Sequence, residues 1–172
     1  MRINIIGGPG SGKDTTATRL FADLKILNYN IEYVDEFVKP WAYSGVPIQD
    51  FDQVYITASQ LYKEQFLLHQ GVKNLITSSP IILGSIYARY YKHPCYKELD
   101  NISFEFDQKY PAICIYLQRN YLFFKSEGRY QDLEEAKQID ALIEQQIYTY
   151  NSYKFPVENY KDIKNTVISA LT

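Results

Sequence analysis

Apolar and polar positions alternate between two periods along this chain. Ile3-Asn4-Ile5-Ile6 is a short apolar run closed by glycines, which predicts a buried strand over 2–6. Ala17, Leu20, Phe21, Leu24 and Leu27 then recur at helical spacing, so residues 13–27 predict a helix with one apolar face, stopped by Asn28-Tyr29-Asn30. Ile31-Glu32-Tyr33-Val34 predicts a second strand, and Pro40, Gly45 and Pro47 mark a loop. Asp50 is placed to cap a helix over 51–70, which Gly71 ends. Residues 74–77 predict a third strand. Helices are expected over 80–92 and 95–109, split by His93-Pro94, and a fourth strand over 112–117. A polar segment, 118–131, precedes a helix over 132–150, a fifth strand over 153–157 and a last helix over 159–171. Strands and helices alternate throughout, the pattern of an α/β domain with helices on both faces of a parallel sheet. No stretch rich in Gly, Pro or Ser divides it, so 1–172 is expected to be one domain.

Composition narrows the class. The 172 residues carry a net charge of −2, which argues against a strongly basic nucleic-acid module. Two cysteines, Cys95 and Cys114, provide no disulfide framework and favour a reducing compartment. No run of about 20 apolar residues and no signal peptide is seen. The expected location is therefore cytoplasmic, a bacterial host's cytoplasm if the protein is phage-encoded, with no membrane partner. His69 and His93 have no metal-ligand spacing around them, and neither cysteine has a His partner for nucleophilic chemistry. The unusual count is 17 tyrosines against five arginines.

Gly7-Gly8-Pro9-Gly10-Ser11-Gly12-Lys13 has the G-x-x-x-x-G-K spacing of a phosphate-binding loop and lies between a strand and a helix. Gly8, Gly10, Ser11 and Gly12 let backbone N–H groups turn toward an anion, the helix start adds its dipole, and Lys13 brings a point charge to the β- and γ-phosphates. Asp14 stands where Ser or Thr usually meets Mg²⁺, and Thr15 follows. Asp14 either serves the metal or caps the helix. At the other metal position, where a strand normally ends in Asp, the chain has Ser78.

Asp35-Glu36 closes strand two, where a carboxylate can accept the proton of an attacking hydroxyl, hold Mg²⁺ through water, or simply be solvated. Gln60 offers a paired donor and acceptor that suit a base edge, or a wet helix face. Arg119 and Arg129 flank a segment that can close as a lid and neutralise a transferring phosphoryl group, or form a solvated loop with structural ion pairs. Arg89 could hold an acceptor phosphate or a nucleic-acid backbone, or be idle.

Several of these runs resemble known families. Gly7 to Thr15 is similar to the loops of adenylate kinase and of phage deoxynucleoside monophosphate kinase. Glu36 with Trp41 five residues later, and Gln60 on the next helix, resemble deoxynucleoside kinases. That likeness implies Glu36 as general base, Trp41 as a wall of the acceptor pocket and Gln60 as a base reader. Over roughly 3–150 the chain resembles small phage P-loop kinases and ATPases that include the 5-hydroxymethyluracil DNA kinases. Ser79-Pro80 with Tyr87, Tyr116-Leu117-Gln118-Arg119, Gly128-Arg129-Tyr130-Gln131 and Ile139-Asp140 carry the likeness beyond the loop. It implies a P-loop three-layer α/β/α fold, a five-stranded parallel sheet in the order 2-3-1-4-5, and a short lid about 118–131. It implies ATP and Mg²⁺, with Asp14, Thr15 or Asp35 near the metal and Glu36 a further carboxylate for it. Lys13, Glu36, Asp35, Arg119 and Arg129 would be the catalytic set, and Trp41, Gln60, Tyr87 and Arg89 would face the acceptor. The expected reaction is γ-phosphate transfer to a nucleoside-type hydroxyl, first the 5-hydroxymethyl group of 5-hydroxymethyluracil in phage DNA. The alternatives are a free deoxynucleoside or nucleoside monophosphate kinase, and a non-catalytic nucleotide-binding regulatory protein motivated by Ser78. ATP and the acceptor are the expected partners, and a homodimer is allowed.

Overall fold

The structure is a computed structural model, and it describes residues 1–120, 124, 127–147 and 150–172. Its sheet is built from β1 (Arg2–Ile6), β2 (Ile31–Val34), β3 (Asn74–Thr77), β4 (Ala112–Gln118) and β5 (Ser152–Pro156), in the order β2-β3-β1-β4-β5 with every pairing parallel. This is the expected P-loop order. Strand β1 is central, with Ile3 opposite Ile76 on one side and Ile113 on the other.

The period of two explains how the sheet is covered. Ile3, Ile5, Ile113, Ile115 and Leu117 face a core shared with Leu20 and Leu24 of α1 (Lys13–Ile26) and with Ile163 and Val167 of α7 (Tyr160–Leu171). The intervening Ile6, Cys114 and Tyr116 face the other way. They pack on Ile82 and Ile86 of α4 (Ile82–Tyr90) and on Ile139 and Ile143 of α6 (Leu133–Ile147). Both faces are therefore buried, as a parallel sheet requires. Cys114 is a buried free thiol, pushed up to about 12 chiefly by burial, so it packs and does not react.

The remaining elements are α3 (Asp52–His69) and α5 (Tyr96–Lys109), near their expected bounds, and α2 (Lys39–Tyr43), which the pattern did not predict. Pro40 opens α2 near its first position and Gly45, at φ 65°, follows its end, so the residues read as loop punctuation serve as helix punctuation. Two other local expectations are corrected. Helix α1 stops at Ile26, and Leu27 lies beyond it, 50% exposed. Asp50 does not cap α3: Phe51 is the N-cap, without a side-chain bond, and Asp52 instead accepts the Gln49 N–H at 2.8 Å. The expected lid, 118–131, includes residues 121–123 and 125–126, and the end of the expected helix 132–150 includes 148–149; these lie outside the described residues.

Three of the tyrosines cross-link elements. Tyr160 donates to Asp23, Tyr130 to the Val46 carbonyl, and Tyr33 shares a hydrogen bond with Ser78. Each buries a ring while its hydroxyl finds a partner.

Candidate active site

Parallel α/β sheets hold ligands at the carboxyl ends of their strands. There, β1 runs into Gly7–Gly12 and α1 begins at Lys13. Gly10 (φ 75°) and Gly12 (φ 91°) take left-handed backbone, which a side chain would oppose. Gly12 is the N-cap of α1 and makes no side-chain cap bond, so the first turn's amides are left for an anion. The same fact removes one reading of Asp14: it does not cap the helix. The Lys13 ammonium donates to the Gly8 carbonyl at 3.0 Å, curled back over its own loop. Burial lowers its pKa, against the opposing pull of Glu36, Asp14 and Asp140.

A cavity of about 200 Å³ opens onto this loop. Its walls combine Lys13, Asp14 and Thr15 with Glu36, with Gln53 and Gln60 of α3, with Tyr87 of α4 and with Arg129. Glu36 is half-buried, and desolvation raises its pKa despite the nearby positive charge of Lys13. Arg129 exerts its charge on Glu36 from the far side and donates to the Glu127 carbonyl at 3.2 Å. Gln60 is buried. Its Nε2 donates to Thr77 Oγ1 at 3.2 Å, while its Oε1 has no hydrogen-bond partner among the described residues. A buried unpaired acceptor is costly until a ligand donates to it. Also on the wall, Gly128 lies against the Tyr43 ring of α2, and Tyr130 donates to the Val46 carbonyl.

Other expected site residues stand elsewhere. Asp35 points away from the cavity, 70% exposed and paired with Lys63 at 2.6 Å. Trp41 is not among the cavity walls; it stacks on Tyr55 and packs edge-on with Phe37. Arg89 is exposed on α4 and pairs with Asp100. Arg119 is not a mobile lid arginine but a buried one, its side chain 2% exposed and gripped at two nitrogens by Asp140 of α6. Asp140 Oδ1 also accepts the Gly8 N–H at 2.8 Å. A Cβ added to Gly8 would meet that oxygen at 2.3 Å, so only glycine fits there. Arg119 and Asp140 thus form a brace under the phosphate loop. Arg119 Nη1 is buried and has no hydrogen-bond partner among the described residues.

Sequence reasoning missed Asp140 as part of this site, although a carboxylate on the apolar stripe Ala136, Ile139, Ile143, Ile147 is a readable signal. It also missed Lys39, whose ammonium pairs with Asp14; no local pattern points to it. Ser78 is fully buried, and its Oγ lies 3.2 Å from Tyr33 OH. Among the described residues, no three His, Cys, Asp or Glu side chains group into a metal site. Mg²⁺ on a nucleotide needs only one or two carboxylates besides phosphate and water, and Asp14, on the cavity wall, can supply one. No helix among the described residues is long and apolar enough to cross a membrane.

Solved structures of deoxyadenosine kinase from M. mycoides are similar in fold. One, with the products dCMP and a flexible dCDP bound, superposes with a TM-score of 0.62 at 17% identity, covering 99% of this chain and 98% of that one. Another, with bound dATP, gives 0.62 at 18% identity, covering 99% of each. No curated protein matches this chain. A family described as AAA domain matches residues 2–164, the stretch that holds the phosphate loop, its brace and the cavity, and the chain belongs to that family.

Proposed function

We propose that this protein is an ATP-dependent kinase that transfers the γ-phosphate to a hydroxyl of a free nucleoside or nucleotide. The observation that carries the reading is Glu36: a half-buried carboxylate with a raised pKa, on the wall of a cavity that the phosphate loop also lines. The fold shared with deoxyadenosine kinase supports it.

The amides of the phosphate loop and Lys13 would bind the donor phosphates. The acceptor would enter between α3 and α4, its base edge donating to Gln60 Oε1 and its sugar lying toward Tyr87. Glu36 would take the proton of the attacking hydroxyl, and its raised pKa brings it nearer the working pH of a general base. Arg129 would neutralise charge on the transferring group. Mg²⁺, held by Asp14 or Thr15, would supply further charge neutralisation between the phosphates. The contacts of Tyr43 and Tyr130 on the cavity wall would keep water from competing with the acceptor.

A base in DNA, such as 5-hydroxymethyluracil, is the second acceptor class. It would have to be flipped out of its duplex to reach this cavity, a cost that a free nucleoside or nucleotide does not carry. That cost favours the free acceptor. Labelled ATP should be offered with a panel of free nucleosides and monophosphates and, separately, with 5-hydroxymethyluracil-containing DNA. Transfer to the free compounds, lost in Lys13→Ala and Glu36→Gln with folding intact, is the expected result. Label on DNA alone would assign the modified base, and ATP binding without any transfer would make the protein a nucleotide-binding regulator.

A further inference from the structure

The inner face of α3 carries two oxygens that are buried and unpaired. Gln60 and Glu64 stand one helical turn apart on that face, 3% and 0% exposed. Gln60 Oε1 and Glu64 Oε1 each lack a hydrogen-bond partner among the described residues. The other terminal atom of each side chain is fixed. Gln60 Nε2 donates to Thr77 Oγ1 at 3.2 Å, and Glu64 Oε2 accepts from Arg2 Nε at 2.8 Å.

The two neighbours of the Gln60 amide differ in what they can choose. A hydroxyl both donates and accepts, so Thr77 can hold either end of the amide. An ionised carboxylate only accepts, so Glu64 favours the amide NH₂ on its side and repels the amide oxygen. Arg2 keeps Glu64 an acceptor in a place where burial favours the neutral acid: its guanidinium opposes the rise in pKa that desolvation causes, as does the Gln60 amide. Arg2 is held in turn by Asp107 of α5 and by the Tyr110 carbonyl at 2.9 Å. With its nitrogen kept toward Thr77 and Glu64, the amide has Oε1 left for a ligand, and Gln60 lines the cavity.

We propose that Glu64 is a positioning residue that sets the polarity of Gln60, so that the site selects an acceptor whose base edge offers an N–H donor. The inference rests on the placement of the acceptor against Gln60 in the reading above. Glu64 is not among the cavity walls and acts only through Gln60.

The test is calorimetry of nucleoside binding to the full chain with a non-hydrolysable ATP analogue, which needs no turnover. Deoxyadenosine, deoxycytidine and thymidine are each compared with an analogue that lacks the base-edge donor, its amine removed or its ring N–H methylated. The parent should bind the donor-bearing member of the preferred pair about tenfold or more tightly. Glu64→Gln keeps the size and an acceptor for Arg2 but lets the Gln60 amide turn over, so the ratio should fall to within about threefold. Asp107→Asn also takes a charge from Arg2 without touching Gln60, and should keep the parent's ratio. Thr77→Val should weaken both members of the pair alike and keep the ratio. A parent that binds both members equally overturns the proposal, as does a folded Glu64→Gln with the parent's ratio. A ratio lost equally in Asp107→Asn marks a general structural effect and overturns it too. Should Glu64→Gln fail to fold, Thr77→Val decides, because a ratio lost there makes Thr77 the residue that orients the amide. A parent that binds the ATP analogue but no nucleoside overturns the acceptor reading itself, which separates the two failures.

Discussion

Replacing Asp140 with alanine should destabilise the protein far more than a surface ion pair would. Asp140 accepts Arg119 Nε through Oδ2, and through Oδ1 it accepts both Arg119 Nη2 at 3.2 Å and the Gly8 N–H at 2.8 Å. The side chains are 2% and 12% exposed, so little water can replace what is lost. Removing one partner of a buried pair costs about 3–5 kcal/mol, because the remaining charge is stranded. The orphaned Gly8 amide adds about 1 kcal/mol, though the two losses overlap and do not simply add. For a chain of this length, 1 kcal/mol moves Tm by roughly 2–4 °C, so a loss of about 4 kcal/mol lowers Tm by about 8–16 °C. Urea unfolding of Asp140→Ala, with the slope against denaturant unchanged, measures the loss directly. The double variant Arg119→Met with Asp140→Leu removes both charges together and should recover most of the stability. It should bind ATP more weakly than the parent, since the loop keeps its packing but loses the acceptor that holds Gly8. A loss below about 1 kcal/mol in Asp140→Ala would show that water reaches Arg119 and would refute the buried-brace argument.

The pH dependence of Glu36 has a definite sign. Its folded pKa is raised by burial, so it favours the folded state fully below the unfolded carboxylate value, and that contribution is lost as pH rises through the folded pKa. Glu36→Gln should therefore raise Tm at neutral pH, on the order of 1 kcal/mol or about 2–4 °C, while abolishing transfer. In the parent, kcat/KM should climb with pH through a midpoint above the usual carboxylate range, and a flat profile there would remove Glu36 as the base. Gln60→Leu should keep the fold and leave ATP affinity unchanged but raise KM for the acceptor about tenfold or more, the cost of a lost polar contact; an unchanged KM would show that Gln60 only ties α3 to Thr77. Leu20→Ala, at a fully buried position under the sheet, should cost about 2–5 kcal/mol in chemical unfolding without altering the site.

The alternation of strands and helices was readable because each strand of this sheet is a short apolar run, and α1, α3 and α6 each bury one face. The same logic fails for α2, whose five residues complete barely more than one turn and bury none of their side chains. The phosphate loop was legible because its function fixes residue type at each place. Arg119 was not: an arginine after a strand in a polar stretch looks solvated, and only the approach of α6 buries it. Asp35 and Glu36 are adjacent in the sequence and equivalent by composition, yet the backbone turns one toward Lys63 and the other toward Lys13. Lys39 could not be joined to Asp14 by any spacing rule, since only the placement of α2 brings it there.

The hydrogen bond between Gly8 and Asp140 joins residues 132 positions apart, and β1 lies between β3 and β4, both made long after it. A ribosome releases β1 and its glycine loop before β3, β4 and α6, when none of those partners yet exists for them. The loop gains its native support only after α6 has emerged. A growing or stalled chain that ends short of α6 therefore bears the whole G-x-x-x-x-G-K motif without a braced site.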